Sequence, residues 1–145
     1  MSSQHRRMVL MKGSGSLGLL LVVLGFPVAA FGQDSSINLY QARAEHEARK
    51  ALLVDIREPE EHATGVVAGA RLLPLSQMPA WLVEFPRDRP VLLICNTQNR
   101  SRATLRSLRQ RGWTNLRYVE GGMSEWNRRG WKTVKPPGSA QASNK

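Results

Sequence analysis

The sequence lacks a second cysteine and is poor in histidine. Its 145 residues include one Cys and three His. A lone cysteine excludes an intramolecular disulfide framework, a cysteine-based zinc cluster and a CxxC redox pair. Three histidines far apart in the sequence argue against a closed structural zinc site. We therefore expect no metal in this protein.

Acidic residues are also scarce. The chain has 21 Lys and Arg against 11 Asp and Glu, a formal charge of +10. Such an excess is typical of nucleic-acid binding proteins. Residues 1–30 hold three of the bases and no acid, which leaves a net charge of +7 on the remainder. If residues 1–30 direct export, nucleic acid is not the expected partner, and anionic small molecules or surfaces are favoured.

The N-terminal segment has the pattern of an export signal. A basic stretch, residues 1–12, precedes an apolar run over residues 17–31. This arrangement predicts a signal peptide over residues 1–30, cleaved after Ala30 or Gly32, and hence a periplasmic protein. The alternative is an uncleaved segment that anchors the chain to the membrane, although the run is shorter than the roughly 20 residues that span a bilayer comfortably. Membrane contact is expected only through this segment.

The rest of the chain alternates between predicted strands and helices. Residues 51–56 and 91–95 are almost wholly apolar, as in strands buried on both faces of a sheet. The alternation predicts an α/β fold with a parallel sheet of about five strands and helices on both faces. The domain is expected over residues 36–133, followed by a disordered tail over residues 134–145. Further strands are predicted at 37–40, 70–73 and 116–119, and helices at 41–50, 77–85 (capped by Ser76), 100–111 and 123–129.

The cysteine occupies the position where an α/β sheet binds ligands. Cys95 ends the strand 91–95, and ligands bind at the carboxyl ends of parallel strands. A polar loop, residues 96–99, follows it and leads into a helix from Arg100. Backbone N–H groups of such a loop and helix N-terminus form an anion-binding cradle, which favours a reactive thiolate. The alternative is a buried and inert cysteine, since free Cys often behaves as a small apolar residue.

Three segments of the chain carry a pattern beyond the predicted strands and helices. The segments are 53–61 with 65–70 and 73–75, the loop 95–101, and 119–126 with Gly130. In their order and spacing, over about residues 37–132, they resemble the rhodanese (sulfurtransferase) family. The resemblance implies a rhodanese-like fold and a Cys95 persulfide that passes sulfur from thiosulfate or a similar anionic donor to cyanide or a thiol. It implies no metal and no organic cofactor. It also places the substrate-binding residues in the loop that follows the cysteine: Asn96, Thr97, Gln98, Asn99, Arg100 and Ser101.

The loop itself separates some alternatives and leaves others open. Four residues lie between Cys95 and Arg100, whereas arginine-cradled cysteine phosphatases have five, so the spacing favours a sulfurtransferase. Gln98 stands where the family commonly has Gly. Either the loop bends differently, or Gln98 is strained and its amide contacts substrate. Arg100 either binds the donor's sulfonate or points outward from the helix.

Other charged residues have structural and functional interpretations. Asp55 and Arg57 are expected to form an ion pair that supports the loop, and His62 is expected to be exposed. The basic residues after the loop form either a solvated face or a docking site for an anionic partner. The competing hypothesis for the whole protein is a non-catalytic rhodanese-type module that carries sulfur or binds a partner protein. These basic residues are Arg102, Arg106, Arg109, Arg111 and Arg117.

Overall fold

The fold is built around a parallel sheet. The computed structural model describes residues 35–136 and residue 138. Its five strands are β1 Ser36–Ile37, β2 Leu52–Asp55, β3 Arg71–Leu72, β4 Val91–Ile94 and β5 Leu116–Val119. They pair in the order β1-β5-β4-β2-β3, all parallel. The two apolar runs form neighbouring strands at the centre, with Leu52 opposite Val91 in the register.

Helices cover both faces of the sheet, as predicted. The helices are α1 Leu39–Glu47, α2 Pro59–His62, α3 Met78–Trp81, α4 Asn99–Gln110 and α5 Gly122–Arg128, and 3-10 turns at Leu75–Gln77 and Leu82–Glu84 flank α3. Side chains alternate along β4, so that Leu93 packs in one buried cluster and Leu92 and Ile94 in another. The first cluster lies under α3 and α4, and the second lies under α1 and α5.

The first strand is shorter than the sequence predicts. The expected strand at 37–40 ends at Ile37, and α1 begins at Leu39. The reason is Asn38, whose side-chain oxygen accepts a hydrogen bond from the backbone N–H of Gln41 at 3.0 Å. This is the N-cap interaction that starts a helix. The β-prone residues Ile37 and Tyr40 therefore fall on opposite sides of a helix boundary.

The predicted helix at 77–85 is also wrong as a single element. Ser76 does not cap it, because its N–H and hydroxyl both donate to the carboxylate of Glu58, at 3.1 Å and 2.6 Å. The segment instead divides into α3 and its two 3-10 turns. This places the Ser76 side chain against the start of α2, where it links two short elements near the carboxyl end of the sheet.

The domain extends beyond its predicted C-terminal boundary at residue 133. Val134 pairs with Val66 through two backbone hydrogen bonds of 2.8 and 2.9 Å. Lys135 donates from Nζ to the carbonyl of Ala63 at 3.0 Å. The tail predicted from residue 134 therefore begins inside the folded part, whereas residues 137 and 139–145 lie outside the described residues.

The predicted export segment also falls outside the described residues. Both the signal peptide over residues 1–30 and the alternative anchor over residues 17–31 precede residue 35. Within residues 35–136, no helix has the length and apolar character needed to cross a membrane.

Candidate active site

Cys95 lies immediately after β4, at the carboxyl end of the sheet. Its side chain is buried, with 1% of the residue exposed, and packs on the α3 and α4 side. The backbone N–H of Ser101, in the first turn of α4, donates to Sγ at 3.4 Å, and the Ser101 hydroxyl lies 3.5 Å from Sγ. The thiol therefore faces the N-terminus of α4, where unpaired N–H groups and the helix dipole favour negative charge.

The opposite side of the loop is fixed by the start of α5. The N–H of Met123 donates to the carbonyl of Cys95 at 2.9 Å, and the N–H of Ser124 donates to the carbonyl of Asn96 at 2.8 Å. In a trans peptide the C=O and the following N–H point in opposite directions. The bonds to α5 therefore turn the N–H groups of Asn96 and Thr97 away from α5.

Gly122 permits this close approach. A Cβ on Gly122 would lie 2.3 Å from the carbonyl oxygen of Cys95 and 2.4 Å from that of Thr97. Its φ of +57° is in the left-handed region that favours glycine. The sequence interpretation missed Gly122 as a site residue. The available signal was a Gly-Gly pair one residue after a predicted strand, at the carboxyl end of the sheet, where the cysteine also lies.

Gln98 bends the loop without backbone strain. Its φ is −168°, which any residue adopts, so of the two alternatives the structure has the loop that bends differently and not the strained Gln98. Its side-chain Oε1 accepts a hydrogen bond from the N–H of Gly121 at 2.8 Å. The amide oxygen thus joins the Cys95 loop to the turn before α5. The other predicted loop contacts, Asn96, Thr97 and Asn99, are exposed.

Arg100 is held by a residue that the sequence interpretation missed. Its guanidinium makes two hydrogen bonds to the carboxylate of Glu61, at 2.5 and 2.6 Å, and about a third of each side chain is exposed. The hydrogen bond from Arg100 is the main reason that the pKa of Glu61 falls to about 2. The pKa of Arg100 is raised, chiefly by Glu61, with a smaller contribution from charge on Cys95. Arg100 is therefore a fixed cation near the thiol.

Asp55 and Arg57 form a buried ion pair beside the site. Arg57 Nη2 lies 2.7 Å from Asp55 Oδ2, and it also donates to the carbonyl of Gly65 at 2.8 Å. The guanidinium thus ties β2 to the segment after α2, which is the geometry expected of a structural support. His62 is buried, not exposed, because the last turn of α2 packs its ring beside this pair, with Nε2 3.4 Å from Asp55 Oδ1.

The described residues contain no assembled metal-binding set. Within residues 35–136, no three His, Cys, Asp or Glu side chains are grouped so that they could bind a metal ion. Two clefts of about 320 and 310 Å³ are both lined by His46 and Ala68, and one of them reaches Leu52 at the start of β2. Neither cleft includes Cys95.

The family is decided by comparison with family models. Residues 38–129 match the model of the rhodanese-like domain. The chain belongs to the rhodanese-like domain family. The resemblance read from the three sequence segments is thereby confirmed, and so is the rhodanese-like α/β fold.

Individual relatives agree with this assignment. An uncharacterized protein of Bacillus subtilis, YqhL, is 41% identical over 78 residues, which are 54% of this chain and 62% of that protein. The chain therefore spans less than two thirds of that relative's length. A protein of Allochromatium vinosum named sulfurtransferase is 38% identical over 87 residues, 60% of this chain and 81% of that protein. A rhodanese-related crystal structure from Thermoplasma volcanium has a TM-score of 0.61 and 32% identity, covering 70% of this chain and 98% of its own.

Proposed function

We propose that this rhodanese-like domain is a sulfurtransferase that carries sulfane sulfur on Cys95. The observation that supports it most is the environment of the one cysteine, which faces the N–H and hydroxyl of Ser101 at the N-terminus of α4. The relative named sulfurtransferase supports the same activity. Thiosulfate, or a donor of similar charge, is the proposed substrate, because the cradle and the nearby Arg100 cation suit an anion.

The proposed reaction has two displacements at sulfur. The Cys95 thiolate attacks the outer sulfur of thiosulfate, the S–S bond of the donor breaks, and sulfite leaves with the bonding electron pair. Cys95 is then a persulfide anion. Cyanide or a thiolate attacks the outer sulfur, and thiocyanate or a new persulfide leaves while the Cys95 thiolate is restored. Charge balances in both steps, and neither requires a metal, an organic cofactor or an oxidant.

The loop residues have separate proposed roles. The N–H groups turned away from α5, together with that of Ser101, would stabilise charge on the persulfide. Arg100 would attract the sulfonate end of the donor while remaining bound to Glu61, since its guanidinium has five N–H donors and uses two of them there. Asp55 and Arg57 would support the loop without touching substrate.

The test of the proposal is the mass of the full chain after incubation with thiosulfate. We expect the protein to gain one sulfur atom, and to release it as thiocyanate when cyanide is added. Cys95→Ser should gain nothing. Ser107→Ala, a change on the same helix outside the loop, should behave as the parent protein. If the parent protein gains no sulfur and forms no thiocyanate, the proposed activity is excluded.

A non-catalytic sulfur carrier is the second candidate, and burial favours it. Cys95 is only 1% exposed, and a persulfide there would be protected from solvent acceptors. In that case the sulfur adduct should form on Cys95. The rate at which cyanide converts it to thiocyanate should be no higher than the rate at which cyanide reacts with a small-molecule persulfide in solution. Measuring adduct and thiocyanate in one time course separates the two functions.

We also propose that the protein is exported to the periplasm, with residues 1–30 as its signal peptide. The support is the basic and apolar pattern of that segment. The mass of the protein recovered from the periplasm should correspond to a chain beginning at residue 31 or 33. Recovery of the uncleaved chain in the membrane fraction would instead support the anchor.

A further inference from the structure

Half of the arginines within residues 35–136 form an ion pair. Seven of the fourteen pair with a carboxylate, and they lie around the sheet and on α1, α4 and α5. Of the seven that form no ion pair with any described residue, four lie on α4 and at its C-terminal cap. No Asp or Glu lies between Asp88 and Glu120, so these four have no acidic neighbour in the sequence. The paired residues are Arg43, Arg57, Arg71, Arg100, Arg117, Arg128 and Arg129; the four on α4 and its cap are Arg102, Arg106, Arg109 and Arg111, and the remaining three are Arg49, Arg87 and Arg89.

Three of the unpaired arginines share one side of α4. Arg102, Arg106 and Arg109 follow the spacing i, i+4 and i+7, which places them along one helix face. Arg102 and Arg106 are exposed and Arg109 is half-buried, whereas Leu105 and Leu108 are buried against the sheet. Like charges four residues apart destabilise a helix. The fold therefore gains nothing from this arrangement, which we call the α4 arginine face.

The α4 arginine face begins beside the candidate active site. Arg102 directly follows Ser101, whose N–H donates to the sulfur of Cys95. From there the face extends along the helix to Arg109, roughly 10 Å at the rise of an α-helix. At its near end are the exposed loop residues Asn96 and Thr97. A molecule bound to this face would lie next to the loop that follows Cys95.

We propose that the α4 arginine face docks an acidic acceptor protein, whose thiol receives the sulfur from Cys95. This proposal rests on the proposed sulfurtransferase function and names its acceptor. The chain has one cysteine, so no second thiol of the chain can take the sulfur. Guanidinium groups bind carboxylates through paired hydrogen bonds, and a charged face steers an oppositely charged partner to the correct side.

The transfer to the acceptor balances without a further reactant. The acceptor thiolate attacks the outer sulfur of the Cys95 persulfide, the S–S bond breaks, and the Cys95 thiolate leaves. The acceptor then carries the persulfide. Because Cys95 is buried, docking beside the loop would serve to orient the attacking thiol. An anionic membrane could also bind arginines, but it offers no thiol, so the position of the face next to the loop favours a protein.

The experiment compares two synthetic cysteine peptides as acceptors. One carries Asp and Glu around its cysteine, and the other carries Asn and Gln at the same positions. The full chain is loaded with thiosulfate, its sulfur adduct is verified by mass, and the rate of transfer to each peptide is measured at low and high salt. We expect the acidic peptide to react about tenfold faster at low salt, and the advantage to vanish at high salt.

Matched variants locate the effect. In the triple variant Arg102→Gln, Arg106→Gln and Arg109→Gln, the preference for the acidic peptide should be lost, while transfer to 2-mercaptoethanol should be unchanged. The control triple variant is Lys50→Gln, Arg89→Gln and Lys132→Gln, which removes the same charge from exposed positions elsewhere and should keep the preference. Circular dichroism should show that both variants are folded.

The possible failures are distinguishable. If no sulfur adduct forms, the proposed function itself is wrong. If the adduct forms but the two peptides react equally, or if both triple variants lose the preference alike, the docking site is excluded. If the arginine variant loses binding to phosphatidylglycerol vesicles but keeps the peptide preference, the face is a membrane site and the proposal is overturned.

Discussion

The loop that follows Cys95 is held on two sides by different kinds of interaction. On the α5 side the contacts are made by neutral groups, with the N–H groups of Met123 and Ser124 donating to carbonyls of the loop. On the α4 side Arg100, in the first turn of the helix, forms a charged pair with Glu61. One side therefore fixes where the backbone runs, and the other fixes how much positive charge lies near the thiol.

The difference between the two sides predicts how each responds to substitution. Backbone groups in van der Waals contact leave no space for an added atom, so a single methyl group should push the loop away from α5. The ion pair of Arg100 and Glu61 is partly exposed to water, which reduces the stability lost when either partner is removed. Substitutions on the α5 side should therefore lower the unfolding free energy strongly, and those on the α4 side should lower it slightly and in a pH-dependent way.

The largest effect is expected from Gly122→Ala. The new methyl group would overlap the carbonyl oxygens of Cys95 and Thr97, and the residue would keep a φ of +57°. We expect unfolding free energy to fall by roughly 2–4 kcal/mol, from left-handed strain plus overpacking. Sulfur loading should be lost with the loop geometry. Urea denaturation and the mass assay measure the two effects.

A second glycine provides the control for this prediction. Gly130 has a φ of +67°, but a Cβ there would meet no atom within 4 Å. Gly130→Ala should therefore lower the unfolding free energy by about 1 kcal/mol, from backbone strain alone, and should load sulfur normally. If both glycine variants are destabilised equally and load sulfur equally, the close approach at Gly122 is not what shapes the loop.

A smaller effect is expected from Gln98→Leu. The change removes the oxygen that accepts from the N–H of Gly121, and the unpaired donor should cost roughly 1.5–2 kcal/mol of stability. Sulfur loading should become slower, because the loop loses its link to the turn before α5. Gln98→Glu keeps an acceptor oxygen and should retain the stability. Gln110→Leu, on the exposed end of the same helix, should change neither quantity.

The comparison of the two sides also shows what the sequence could predict. The central strands were recognisable because strands buried on both faces are apolar without interruption, and Cys95 was recognisable because it ends one of them. The pairing of Asp55 and Arg57 is predictable too, since they lie at the end of the neighbouring strand. These inferences need only the pattern of apolar residues along the chain and the rule that parallel strands bring their carboxyl ends to the same end of the sheet.

The contacts that shape the loop depend on tertiary distances, which no local pattern encodes. Gly122 looked like an ordinary helix start, and Glu61 like one of several acids in a short helix. His62 was expected to be exposed because its sequence neighbours are acidic, yet α2 packs it against Asp55. Gln98 stands where related loops commonly have glycine, but its backbone adopts an extended φ, and its side chain links the loop to Gly121.

The smallest effect is expected from Glu61→Gln, and it should depend on pH. The hydrogen bond from Arg100 lowers the pKa of Glu61 from 4.5 to about 2 in the folded chain. A carboxyl with a lowered folded pKa stabilises the fold above its unfolded pKa, and loses that contribution as pH falls through the folded value. About a third of each side chain in this pair is exposed, so solvent screens the interaction. We therefore expect the unfolding free energy of the parent protein to exceed that of the variant by about 1 kcal/mol at pH 7.

Urea denaturation of both proteins from pH 7 to pH 2.5 measures this difference. The gap should stay constant down to about pH 4.5 and then narrow toward pH 2. Glu47→Gln, at the more exposed pair with Arg43, should show a gap below about 0.5 kcal/mol at any pH. A gap for Glu61→Gln that does not narrow with acid would mean that the charge of Glu61 does not stabilise the fold through Arg100. The stability of the α4 side of the loop would then depend on packing, as that of the α5 side does, and the two sides would not differ in the kind of interaction that holds them.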